Sequence, residues 1–106
     1  MRILIIGAGA VGQGVGGLLA DAGHDISLLL RPAHAEAIAR DGLRVTGIFG
    51  DRHVPNNRIT CATDSGAIDG CFDYALVTTK SFDTSDAADA LARIDNRSAT
   101  IVSMQN

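Results

Sequence analysis

The sequence predicts an α/β domain, a doubly wound parallel sheet of the Rossmann type. Three observations predict it. An apolar run at residues 2–6 leads straight into GAGAVG, a G-x-G-x-x-G turn at residues 7–12, and then into helix-spaced apolar residues. A second apolar run at 26–30 follows within the roughly 30 residues of one βαβ unit. Strand-like and helix-like patterns then keep alternating along the chain.

Each element has its own signal. Residues 2–6 are branched and apolar, as a first strand requires. Val11, Val15, Leu18, Leu19 and Ala22 recur at helical spacing, and Gly23 supplies the stop. Residues 26–30 form a strand apolar on both faces, which belongs in a covered parallel sheet. Pro32 sits where a helix tolerates proline, in the first turn, and this second helix ends at Asp41-Gly42, where glycine can take the left-handed stop. Between 43 and 70 the signal is poorer: LRVTG and RITCAT read as strands, with GIFGDRHVPNN as a turn or hairpin between them. A strand at 73–79, a helix at 81–94 and a last strand at 99–103 complete a sheet of expected order 3-2-1-4-5, with right-handed crossovers.

Composition narrows the function classes. The chain has 106 residues, 46% hydrophobic and 20% charged, which suits one soluble globular domain with one core. Its apolar runs fall well short of the roughly 20 residues of a membrane helix. A formal net charge of -3 gives no broad attraction to nucleic acid or an anionic membrane, so an anion site has to be local. The N-terminus lacks the features of a signal peptide, and a cytoplasmic location is expected. Cys61 and Cys71 form no CxxC pair, and His24, His34 and His53 share no spacing, so neither a metal site nor a disulfide is expected. After the apolar run at 99–103 such a fold still needs a helix to cover the sheet. Residues 1–106 therefore read as the first domain of something longer, with an uncovered sheet face through which the chain would self-associate.

The glycines carry the chemistry. Gly7 permits the tight turn, Gly9 lets the backbone approach a pyrophosphate, and Gly12 lets the helix pack close to the sheet. The amides from Ala8 through Ala10 and Val11 then face the anion at the helix start. About 20 residues beyond the glycines, this fold usually places an acid that accepts hydrogen bonds from the adenosine ribose. Here that position holds Arg31, whose forked donors suit a 2′-phosphate, pointing to NADP(H). The competing reading is a solvated arginine. Asp25, the only nearby acid, starts the same strand and lies at its wrong end. Lys80 and Asn106 follow the fourth and fifth strands at the ligand-binding edge. Position alone leaves each open between a cofactor contact and a solvated polar residue.

Four segments in order, ILIIGAGAVGQ, LLLRPAHAEAIARDGLRV, DYALVTTKSFDT and the terminal SMQN, give the chain a resemblance to the N-terminal domain of the ketopantoate reductase (2-dehydropantoate 2-reductase) family. The resemblance implies NADPH-dependent reduction of a small 2-ketoacid, 2-dehydropantoate to pantoate, in pantothenate biosynthesis. It implies that Gly7, Gly9 and Gly12 hold the pyrophosphate and Arg31 the 2′-phosphate, that Lys80 contributes to cofactor binding, and that Asn106 positions nicotinamide and substrate in catalysis. It also implies a helical C-terminal domain, absent from these residues, that supplies a catalytic lysine and a carboxylate for the substrate. Two alternatives stand beside it: a noncatalytic nucleotide-sensing module, which would usually keep an acid after its second strand, and the cofactor domain of an opine or hydroxyacid dehydrogenase.

Overall fold

The computed structural model describes residues 1–7, 10–45, 51–63, 72–78 and 100–103. The expected helix at 81–94, together with Ala8, Gly9, Cys71, Lys80 and Asn106, lies outside them. In chain order the elements are β1 (Arg2–Ile6), α1 (Ala10–Asp21), β2 (Asp25–Leu29), α2 (Pro32–Asp41), β3 (Leu43–Val45), β4 (Arg52–Val54), a short 3-10 turn (Asn56–Arg58), β5 (Ile59–Ala62), β6 (Tyr74–Val77) and β7 (Thr100–Ser103). The main sheet runs β5-β2-β1-β6-β7 with every pair parallel. With β3 and β4 set aside this is the expected order 3-2-1-4-5.

β1 explains the core. Ile3 and Ile5 point into one cluster with Ile26, Leu28, Ala20 and Ile38, while Leu4 and Ile6 point into a second with Phe72 and Val77. A strand hydrogen-bonded on both edges and covered on both faces favours a continuous apolar run, and in β1 only Arg2, at the exposed amino end, is polar. Full burial of such residues contributes about 1.5–3 kcal/mol each.

The segment from 43 to 58 departs from the simple reading. Arg52–Val54, within the stretch expected as a turn or hairpin, is a strand that pairs antiparallel with Leu43–Val45 in a separate two-stranded sheet. Three-residue strands are too short for alternation to show in sequence. The hairpin lies on α1 and closes the end of α2. Gly42 N–H donates to Ile38 O at 2.7 Å, Asn56 Nδ2 to Ala39 O at 2.6 Å and His53 Nε2 to Asp41 O at 2.7 Å. His53 is thus a helix-end donor. Gly42 has positive φ as expected, but its ψ of -171 makes the backbone extended rather than left-handed helical, a region open essentially to glycine alone. At the end of α1, Gly23 (φ 101) places its own N–H on Ala20 O and that of His24 on Leu19 O, a Schellman stop. Among the described residues no helix is long and apolar enough to cross a membrane.

The glycines inside α1 have different reasons to be there. A Cβ on Gly16 would stand 3.1 Å from both Ile5 Cδ1 and Leu28 Cδ2, and one on Gly17 would collide with the Val45 side chain. Gly16 lets the helix settle on the sheet, and Gly17 lets the hairpin settle on the helix. A Cβ on Gly14 would meet nothing within 4 Å. Gly14→Ala is therefore expected to stabilise the fold by up to about 1 kcal/mol through helix propensity. Gly17→Ala is expected to destabilise it by about 1–3 kcal/mol through overpacking. Urea unfolding of the two variants measures both, and a stabilised Gly17→Ala would show that the hairpin does not press on α1.

Candidate functional site

Parallel pairing in common register brings the carboxyl ends of five strands into one row: Ala62, Leu29, Ile6, Val77 and Ser103. The chain moves from β1 outward through β2 to β5, then returns to the other side of β1 for β6 and β7. The reversal falls at the end of β1, the crevice where ligands bind in open α/β sheets.

The turn at that point is held from both sides. Gly7 leaves β1 with φ 77. Its N–H donates to Leu29 O at 2.9 Å, so β2 pins the start of the turn. On the other side, Thr78 donates its N–H to Ile6 O at 3.0 Å, and its hydroxyl is shared between Gly7 O at 2.9 Å and Ile6 O at 3.1 Å. Ala10 then opens α1, and Gly12 is buried in its first turn. Sequence reading did not single out Thr78. The available signal was a hydroxyl directly after a buried strand, beside a glycine turn, and only the pairing of β1 with β6 shows the two to be neighbours.

Arg31 stands where the sequence placed it, at the end of β2 and on the N-cap of α2. Its backbone is extended (φ -71, ψ 153) and its carbonyl accepts from the N–H groups of His34 and Ala35, both at 3.1 Å. Its exposed side chain makes no capping hydrogen bond, and no acid occupies the first turn of α2. Asp25 is at the opposite edge, paired in register with Arg2 and within 3.4 Å of its guanidinium. At about 3.3 Å per residue the extended chain from Asp25 to Arg31 spans roughly 20 Å, beyond the screening length of physiological salt. Asp25 therefore cannot replace the missing acid or oppose an anion at Arg31.

The remaining candidates sort plainly. Gln13 and His34 join the starts of α1 and α2 through a side-chain contact of 3.1 Å. Cys61 is a half-buried residue of β5, and desolvation raises its thiol pKa, which keeps it protonated at neutral pH and a poor nucleophile. Ala8, Gly9, Lys80 and Asn106 lie outside the described residues, so the row of strand ends is assembled here from Gly7, Arg31 and Thr78.

The family model described as ketopantoate reductase PanE/ApbA matches residues 3–106. The 2-dehydropantoate 2-reductase of Pyrococcus horikoshii is 38% identical over the whole chain, which covers 33% of that protein. Two solved structures are similar over the whole chain and 34% of their own lengths. They are a PanE/ApbA family ketopantoate reductase from Ralstonia eutropha JMP134, at 40% identity and TM-score 0.87, and the 2-dehydropantoate 2-reductase of Geobacter metallireducens GS-15, at 36% and 0.86. The chain spans about one third of the length of these relatives.

Removing the Thr78 hydroxyl should loosen the turn. Thr78→Val keeps the shape of the side chain but leaves the Gly7 carbonyl without its donor, an expected loss of about 1–3 kcal/mol. Denaturant unfolding reads it. Thr78→Ser, which retains the hydroxyl, is expected to lie nearer the parent, and equal losses in both would assign the effect to the methyl group.

Proposed function

The chain belongs to the ketopantoate reductase family, and from that membership we propose that it forms the NADP(H)-binding domain of an NADPH-dependent reductase that converts 2-dehydropantoate to pantoate. The observation that carries the cofactor choice is Arg31: a guanidinium, with no acid in the helix turn it caps, at the strand end where a ribose-binding acid would stand. The residues suit the cofactor. A positive-φ glycine begins the turn between β1 and α1, and Gly16 brings α1 down onto the sheet at Ile5 and Leu28.

In this reading the backbone from Gly7 through Ala8, Gly9, Ala10 and Val11 to Gly12 holds the pyrophosphate, because amides at a helix start are oriented donors for an anion. Arg31 clamps the 2′-phosphate with paired, charge-assisted hydrogen bonds. Lys80 adds a second cation toward the cofactor, and Asn106 positions the nicotinamide and the substrate carbonyl through its amide. Bound NADPH would supply the hydride that reduces the ketone. The proton for the resulting alkoxide is assigned to a second, helical domain of the family, beyond residues 1–106. The setting is the cytoplasm. Ile101 and Val102, exposed on edge strand β7, favour self-association of the 106-residue chain.

Two outcomes are expected. Arg31→Ala should weaken NADPH binding by about 10–150-fold, the equivalent of about 1.5–3 kcal/mol, and barely change NADH binding. Arg31→Asp should go on to favour NADH, because it restores a ribose acceptor and repels the phosphate. Fluorescence titration of both cofactors at one ionic strength decides it, and equal losses for both in Arg31→Ala would sink the assignment. The isolated 106 residues should also bind NADPH yet reduce no 2-dehydropantoate, since general acid catalysis alone is worth about 10²–10⁴-fold. Robust NADPH consumption would place the proton donor within these residues.

A further inference from the structure

Thr78 is the first residue after β6, half-buried beside the end of β1. Its hydroxyl oxygen lies 2.9 Å from Gly7 O and 3.1 Å from Ile6 O. A carbonyl oxygen can only accept, so the hydroxyl is the donor to both and its single proton is shared between them. The Thr78 N–H donates to Ile6 O as well, at 3.0 Å. One residue thus takes up both carbonyls through which the chain leaves β1.

Peptide geometry gives this contact a consequence beyond packing. A planar trans peptide carries its N–H opposite its C=O. The unit between Ile6 and Gly7 shows it: the Ile6 carbonyl accepts from Thr78 on the β6 side, and the Gly7 N–H donates to Leu29 O on the β2 side at 2.9 Å. A donor that holds the Gly7 carbonyl therefore acts on the amide that follows Gly7 as well. Carbonyl and amide have opposite effects on an anion. Backbone N–H groups favour it, whereas a carbonyl oxygen is the negative end of the peptide dipole and opposes it.

We propose that Thr78 is a positioning residue for the dinucleotide: by holding the Gly7 carbonyl toward β6, its hydroxyl sets the next amide of the glycine turn to donate to the pyrophosphate. This rests on the reading that the turn after β1 holds that group. Thr78 acts through the Gly7 peptide and not on the ligand.

The test is equilibrium titration of the parent, Thr78→Val, Thr78→Ser and Thr78→Cys with three ligands: NADPH, NADH and adenosine 2′-monophosphate, which carries the 2′-phosphate without the pyrophosphate. Thr78→Val should weaken NADPH and NADH by the same factor, about two- to tenfold, the scale of one hydrogen bond. Its affinity for adenosine 2′-monophosphate should be unchanged, which also shows the variant to be folded. Thr78→Ser, which keeps the hydroxyl, should bind like the parent. Thr78→Cys, whose thiol is a weak donor, should fall between, and it reads the same effect if Thr78→Val does not fold. Undiminished affinity for both nicotinamide cofactors in Thr78→Val and Thr78→Cys would overturn the role of Thr78 and leave the cofactor reading standing. A loss that extends to adenosine 2′-monophosphate would make the hydroxyl a fold contact and overturn the inference, as would a loss for NADPH alone. A parent that binds neither nicotinamide cofactor removes the cofactor reading and this inference together.

Discussion

The whole arrangement depends on β1 being paired on both edges and covered on both faces. Ile3, Leu4, Ile5 and Ile6 are all buried, and β2 and β6 take up the hydrogen bonds of the strand on either side. These four positions contribute no polar side chain to a site at the carboxyl edge. What the strand contributes is an exit. The chain must leave β1 at the crevice through backbone alone, so the centre of the candidate site is main chain, and side-chain chemistry has to arrive from its neighbours. β2 delivers Arg31 and β6 delivers Thr78, because the common register ends all three strands together.

That exit is fixed before any ligand arrives. The Gly7 N–H is committed to the last carbonyl of β2, and its carbonyl to the hydroxyl that follows β6. Both backbone groups of Gly7 are thus held by neighbouring strands, so the point at which the chain leaves β1 is set by the sheet itself. The glycines within α1 extend the same logic, since Gly16 and Gly17 set how deeply the helix sits between the sheet and the β3–β4 hairpin.

Much of this was legible in the sequence, and the parts that were not share a cause. The strand–glycine–helix opening, the sheet order and the place of Arg31 all follow from local periodicity and from spacing within one βαβ unit. The β3–β4 pair was legible only as a strand followed by a turn or hairpin: its strands are three residues long and are held by contacts with α1 and α2 rather than by their own pattern, so their pairing apart from the main sheet left no signal. Thr78 was missed for a different reason. It lies 71 residues from the Gly7 carbonyl it holds, and no local spacing can point to a partner so remote. His34 was visible as a residue and silent as a contact: sequence shows no common spacing among the histidines, whereas the structure sets this one against Gln13 at 3.1 Å.

The distribution of charge, rather than its sum, is what makes a cofactor choice possible. The chain is acidic overall, with a formal net charge of -3, yet among the described residues Asp25 and Asp73 stand at the amino edge of the sheet. There Asp25 meets the Arg2 guanidinium, Asp73 accepts from the Arg2 N–H at 2.9 Å, and that guanidinium also lies 4.7 Å from the centre of the Phe72 ring. These contacts are exposed and contribute little to stability. Their consequence is positional: among the described residues, the carboxyl end of β2 leads to Arg31 and to a first turn of α2 without acids. A pyrophosphate looks the same to the glycine turn in either nicotinamide cofactor, so the turn cannot tell them apart. Discrimination is a difference between two affinities, and it has to come from side chains that reach the one group the cofactors do not share. In this fold those side chains stand at the end of β2, where an acid would repel a 2′-phosphate and a guanidinium attracts it.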